Sequence, residues 1–388
     1  MILKKWTIGM IAAALLLVMP VQAAQAQTKL YKEKVLEVDD RVSNHKRGGL
    51  AFNGSFYLYF DPYGELYKSV DGLKWDFQEA YTIIKGVQYD GTGGNVRKLI
   101  FDGARFIVLY DTYFAVSQDG VHWERSEIPF PNNNKKEYTF EDVIYSGGNY
   151  YFLAQDRDKN VDGFYFPGPN HILISGDLQS FKPAQFKKIE NSIAGERPLD
   201  SLVTNGKVFL ATGNTSAVSK DGKVWTGDKA NFLGGYNGVW DGKQFLFAYM
   251  NMIFSTQDGS KTTNVFTFKE AQWSPKTKQY SGGLPLRLEV IGYNGKEYLA
   301  GGSHFDWMSK GRANEDTVLI YSKDGKTWEK IYFPGGGTDF DAIYPTSFGF
   351  LLTGNNVWAV STKPFEKTPV VKEFDSQAAE PQVNAASK

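Results

Sequence analysis

Short runs of alternating apolar and polar residues fill the chain between Leu30 and about Phe374, and tight turns cut them at regular intervals. The clearest stretch holds four such runs, Val96-Phe101, Arg105-Tyr110, Phe114-Ser117 and Trp123-Ile128. Period-two alternation in runs of this length predicts β-strands. The turns Asn53-Gly54, Asp102-Gly103, Gly147-Gly148, Asn205-Gly206, Asp241-Gly242 and Asn294-Gly295 each lie between two apolar runs. Asn-Gly and Asp-Gly supply the positive φ that a two-residue hairpin requires, so each of these turns joins a strand A to a strand B. A seventh, degenerate copy lies around Ser347-Phe348-Gly349.

A second turn recurs downstream of each of these. It reads Ser69-Val70-Asp71-Gly72-Leu73-Lys74-Trp75, and again from Ser117 to Trp123, from Ser219 to Trp225 and from Ser322 to Trp328. Weaker copies are Ser175-Gly176-Asp177 ending in Phe181, Ser255-Thr256-Gln257-Asp258-Gly259, and Ser361 ending in Phe365. Each repeat therefore reads as strand A, tight turn, strand B, looser connection, strand C, Asp-Gly turn, strand D. Repeats of roughly 35 to 60 residues that form four-stranded meanders are propeller blades, and a lone blade cannot bury both faces. The expected fold is all-β, a single β-propeller of seven four-stranded blades over residues 27–374. Leu30 to Val38 is expected to close the ring beside Val357-Ser361, with Pro369-Phe374 as the other candidate for that strand.

At the Ser-x-Asp-Gly-x-x-Trp turns the chain resembles the Asp-box (BNR) repeat proteins, a group of secreted propellers that includes sialidases. The resemblance covers nearly all of the mature chain, although the spacing is one residue tighter than the commonest form. It implies a structural role for Asp71, Asp119, Asp221 and Asp324, with the carboxylate bonding its own turn and the tryptophan packing between strands. A sialidase also needs an arginine triad, a tyrosine nucleophile paired with a glutamate, and an aspartate acid. Here Lys46-Arg47-Gly48-Gly49 stands where sialidases carry an Arg-Ile-Pro segment, and the count is seven blades rather than six. The resemblance thus implies a fold and not that activity.

Composition adds the compartment. Lys4 and Lys5, the apolar run from Ile8 to Met19 and the small-x-small site Ala24-Gln25-Ala26 read as a signal peptide over residues 1–26. The apolar run is shorter than the roughly 20 residues a membrane span needs, so a secreted, extracellular protein is expected. With no cysteine, its stability must come from a core. The charge balances at 43 basic and 43 acidic residues, which gives no basic excess for nucleic-acid binding. Residues 375–388 are polar and small, and are expected to be a disordered tail. A monomer is expected.

Blade topology separates two faces. The A–B and C–D turns lie on one, and the B–C loops and D–A crossovers on the other. The long segments, about Asp156 to His171 and Ser303 to Asp316, belong to the second face, where binding usually resides. Counting back five residues from each A–B turn reaches Gly48, Arg97, Glu141, Asp200, Tyr236, Glu289 and Asp341 at the channel mouth. Glu141, Asp200, Tyr236, Glu289 and Asp341 are the candidate catalytic groups, because converging carboxylates can raise one another's pKa toward that of a general acid. Arg47, Arg97, Arg197 and Arg287 could hold a substrate carboxylate, and Tyr165 and Trp307 could stack on sugar rings. A hydrated, merely polar channel lining is the competing explanation. His45, His171 and His304 also fall in or near this face, where a polysaccharide lyase would need a base. Asp158, Asn160 and Asp162, followed by Gly163, match the first half of a calcium loop, although Pro169 stands where the closing Glu belongs. The expected function is binding, with or without cleavage, of an extracellular polysaccharide or glycoconjugate, with Ca2+ as the candidate cofactor. A non-catalytic scaffold for a protein or cell-surface partner is the alternative.

Overall fold

The computed structural model describes residues 29–38, 48–78, 95–128, 137–159, 165–187, 199–213, 215–227, 237–268, 272–274, 279–281, 286–304, 317–332, 340–354 and 356–365. The expected signal peptide and tail lie outside them. Among the described residues seven sheets follow one another along the chain as blades, six of them four-stranded and antiparallel. Blade two holds strands A to D at Val96–Phe101, Phe106–Tyr110, Phe114–Ser117 and Glu124–Ser126, in the order the sequence predicts.

The ring closes through the N-terminal strand. Tyr31–Glu37 pairs antiparallel with Asn356–Ser361, and Tyr31 sits opposite Ser361. Blade seven therefore takes its outermost strand from one end of the chain and its other three, from Phe340 to Ser361, from the opposite end.

The core is divided among the seams between blades. Leu58, Phe60 and Leu66 of blade one meet Val96, Leu99, Phe106 and Val108 of blade two. Ile107, Leu109 and Phe114 of blade two meet Phe140, Val143 and Phe152 of blade three. Leu50, Tyr57 and Tyr59 of blade one meet Leu351, Val357 and Ala359 of blade seven. Strand B is consequently buried on both faces, as in Phe106–Tyr110. Each fully buried apolar side chain contributes about 1.5–3 kcal/mol, which is how a cysteine-free chain holds this shape.

The Asp-Gly turns have the structural role expected of them. The amides of Gly72, Gly120, Gly222 and Gly325 donate to the hydroxyls of Ser69, Ser117, Ser219 and Ser322 at 2.8–2.9 Å. Asp221 Oδ1 accepts the amides of Lys223 and Val224, and these bonds hold its carboxyl below the ordinary range. Trp75, Trp225 and Trp328 donate their indole N–H to the carbonyl of the turn glycine. In blade five the bonding hydroxyl is that of Thr256, not Ser255. In blade three Leu178 takes the glycine position at a φ of 63°, and its side chain is buried in the seam with Phe114 and Phe152.

Three elements differ from expectation. The segment expected as blade three's B–C loop is instead a tall hairpin: Asn149–Lys159 pairs with Tyr165–Ser175 past an irregularity between Gln155 and Arg157. Blade four gains a fifth strand, Gln185–Lys187, parallel to Val224–Gly227. The crossover into blade six contains a small hairpin of Gln272–Ser274 with Gln279–Ser281.

Candidate functional site at the channel mouth

The innermost strands share an irregularity that aims their polar residues. In blade two the register passes from Val96 opposite Tyr110 directly to Lys98 opposite Leu109, which leaves Arg97 as the extra residue of a β-bulge. Glu141, Asp200, Glu289 and Asp341 are the skipped residues in blades three, four, six and seven. These are five of the positions reached by counting back from the A–B turns. A bulge turns its extra side chain away from the regular pleat, and here it lets a polar residue leave a strand whose neighbours pack in the core. The flanking residues Val96, Phe140, Leu199, Leu288 and Phe340 are all buried.

In four of these five blades the residue before the bulge is tied to the previous blade. Val96, Phe140 and Leu288 donate their amides to the carbonyls of Pro62, Asp111 and Met250 in the preceding B–C turns, and Leu199 donates to Asn170 Oδ1. Three of the bulges therefore sit on the neighbouring blade's B–C turn, and that of blade four sits on strand C of blade three. Blade one has no side chain at this position, because Gly48 approaches blade two through a bond from its amide to Val96 O at 3.0 Å. A side-chain carbon on Gly48 would sit 2.8 Å from Phe60 O, and φ there is +66°.

Arg97 is the centre of the charge cluster. Its Nε donates to Asp111 Oδ1, and its Nη1 lies 3.4 Å from Glu141 Oε2 of blade three. Asn95 donates its amide N–H to Asp111 Oδ2 at 3.1 Å. The guanidinium side chain is only 12% exposed. Burial opposes its charge, but the carboxylates of Glu141 and Asp111 outweigh that, with Asp200 of blade four adding to them, and the guanidinium stays more firmly protonated than usual. Arg97 thus meets blade three through Glu141, and the charge of Asp200 in blade four acts on it as well.

Next to it, Lys98 Nζ lies 2.6 Å from Asp142 Oδ1, and the buried Asp142 accepts the Leu202 amide on Oδ2 at 2.7 Å. Lys98, Asp142 and Leu202 thus link blades two, three and four in a chain. On the other side Arg287 Nε lies 2.8 Å from Glu289 Oε1. Asn237 of blade five donates its side-chain amide to Asp341 O of blade seven at 3.1 Å, reaching past blade six.

The structure accordingly brings Arg97, Glu141 and Asp200 together and places Arg287 and Glu289 as a pair. Asp341 lies within the fields acting on Tyr59 and Tyr344 at the seam of blades seven and one. Arg47, Arg197, Tyr236 and Trp307 lie outside the described residues, as do Asn160 and Asp162. Asp158 and Tyr165 are in strands of the tall hairpin, with side chains outside the described set. Among the described residues no group of three His, Cys, Asp or Glu is placed to hold a metal ion.

Sequence reasoning missed Asp111, which clamps Arg97. Its signal was the repeat itself: Asp61 follows Tyr59-Phe60 as Asp111 follows Leu109-Tyr110. It also missed the pairing of His171 Nε2 with Asp156 Oδ1 at 2.7 Å at the top of blade three.

No family model and no curated protein matches this sequence. Solved structures match by shape. A catalytically inactive histidine-to-alanine variant of virginiamycin B lyase from Staphylococcus aureus, with quinupristin, superposes with a TM-score of 0.57 at 8% identity. That match covers 86% of this chain and 99% of the lyase. YCF48 bound to D1 peptide gives 0.51 at 12% identity, covering 88% and 97%. The extracellular domain of the one-component system BT4673 from B. thetaiotaomicron gives 0.52 at 9% identity, covering 85% of this chain and 40% of that one. A lyase, a peptide-bound protein and a sensor-system domain share the architecture, so the likeness establishes the propeller fold.

Proposed function

We propose that the protein is an exported propeller that holds a saccharide of an extracellular polysaccharide or glycoconjugate across the mouth of its channel. The observation that carries this reading is the shared bulge, which places Glu141, Asp200, Glu289, Asp341 and Arg97 at equivalent positions of five blades. Carboxylates accept hydrogen bonds from sugar hydroxyls, and charge-assisted bonds are the strong ones. Arg97 already bonds Asp111 and faces Glu141, so the site suits a neutral, hydroxyl-rich ligand better than a sialic acid or a uronate. The reach of Asn237 to Asp341 narrows the opening, which favours a ligand lying over the mouth rather than threading it.

The test is a glycan-array screen of residues 27–388, with and without calcium, followed by product analysis on every hit. Binding is expected, and E141Q with D200N is expected to weaken it by about tenfold or more, the scale of a lost charge-assisted bond. Released oligosaccharide would add cleavage to binding. No binding to any glycan would end the saccharide reading and leave the protein-partner scaffold in its place.

A further inference from the structure

We infer that His171, oriented by Asp156, is a general base for hydrolysing an acyl ester on a ligand bound over the seam of blades two and three. One ring nitrogen is fixed: Nε2 lies 2.7 Å from Asp156 Oδ1, and Asp156 is buried. The Tyr138 ring meets the imidazole edge-on at a centroid distance of 5.8 Å. The other nitrogen, Nδ1, has no partner among the described residues, and the side chain is 35% exposed. A buried carboxylate setting the tautomer of a histidine whose second nitrogen is open is the arrangement that general-base catalysis uses.

The dyad is also well placed. Ala154 pairs with His171 across the tall hairpin, and Tyr138 pairs with Asp156 on the other side. Phe140, two residues below Tyr138, donates its amide to Asp111 O at 2.7 Å. Phe140 and His171 both pair with Ala154, so the histidine stands level with Phe140 in the sheet, two strands across from it. His122 shows the contrast. It too meets a carboxylate, Asp119, at 2.6 Å, but its side chain is 87% exposed, in an Asp-Gly turn on the opposite face.

An acyl ester is the substrate class that one imidazole can serve alone. Acetal cleavage needs an acid and a separate base or nucleophile, whereas a histidine can take a proton from water and return it to the leaving group. The water oxygen attacks the ester carbonyl carbon as its proton passes to Nδ1. The tetrahedral oxyanion then collapses, the bond to the alcohol oxygen breaks, and the imidazolium proton goes to that oxygen. Ester and water become acid and alcohol, and nothing else is consumed. This inference stands independently of the saccharide reading.

The test uses residues 27–388 with p-nitrophenyl acetate and with acetylated xylan, following nitrophenolate and acetate release across pH. Turnover by the wild type is expected, with a pH profile governed by one deprotonation. H171Q is expected to lower kcat by about a hundredfold, the lower end of what a positioned base contributes. D156N, acting through tautomer and orientation, is expected to lower kcat with little change in KM and to alter the pH profile. H122Q is expected to leave both rates unchanged, and circular dichroism checks that each variant is folded. The inference is overturned if the wild type turns over neither probe above the level of H171Q, or if H122Q costs as much as H171Q.

Discussion

Asp61 spends one carboxyl oxygen on its own turn and keeps the other buried away from it. Oδ1 accepts the amides of Tyr63 and Glu65 at 2.9 and 2.7 Å, while Oδ2 has no partner among the described residues. Burial pushes this carboxyl up to about 7, the charge of Glu65 adds to the push, and the turn amides only partly oppose it. A raised acid binds its proton more tightly in the folded state. That contribution is therefore complete below about pH 4 and is lost as pH rises toward 7, a difference on the order of 4 kcal/mol. Replacing Asp61 with Asn keeps the acceptor for the two amides and removes the buried charge. D61N is expected to be more stable than the wild type at pH 8 and to flatten the fall in stability between pH 4 and 7. Urea unfolding at several pH values measures both, and equal slopes in the two proteins would refute the assignment. The chain does show an aspartate after strand B in blades one and two. What it does not show is that Asp111 meets an arginine whereas Asp61 meets none among the described residues, so that one motif gives a clamp in blade two and a titrating acid in blade one.

At the scale of strands and turns, the A–B hairpins act as clasps between blades. Tyr150, at the start of strand B in blade three, donates its hydroxyl to Asp102 Oδ2 in the turn of blade two. Arg105 Nη2 donates to the same tyrosine oxygen at 2.7 Å. Tyr298 repeats the arrangement toward Asp241 at 3.0 Å. Where the preceding turn carries Asn205, as before Phe245, the matching position is phenylalanine and the clasp is apolar. Y150F and D102N therefore remove the same interaction from opposite ends. In a double-mutant cycle the pair is expected to show a coupling of about 0.5–3 kcal/mol, whereas Y298F with D102N is expected to be additive. Additivity of Y150F with D102N would show the two blades to be held by packing alone. The hairpins were legible in the sequence because Asn-Gly and Asp-Gly dictate backbone geometry locally. The bulges were legible only as positions: counting back from each turn reached Arg97 and Glu141, but alternation in sequence cannot show which residue the ladder skips. For the same reason the run from Asp156 to His171 read as a loop, since Pro167 and Pro169 hide strands that resume beyond a bulge.

For the whole molecule, every seam is equivalent in design but one is made differently. The strand Tyr31–Glu37 completes its sheet with a partner strand from the far end of the chain. Its flanking and apolar residues serve two seams: Leu30 packs against the cluster between blades six and seven, and Val35, Leu36 and Val38 against the one between seven and one. Cleavage after Ala26, where the sequence predicts it, leaves this strand intact. Removing residues 27–38 would strip both seams and leave Asn356–Ser361 as an open sheet edge able to pair with another chain. The loss of four apolar contacts is on the order of 5 kcal/mol, comparable to the net stability of a whole domain. The truncated chain is expected to melt well below the intact one and to self-associate through the open edge, as light scattering would record. A synthetic peptide of residues 27–38 added in trans should restore the melting temperature and the monomer together, since it would supply both the hydrogen bonds and the side chains. A truncated protein that stays monomeric with an unchanged transition would show that the ring needs no closing strand. The stability of the ring would then rest on the seams between blades one and seven.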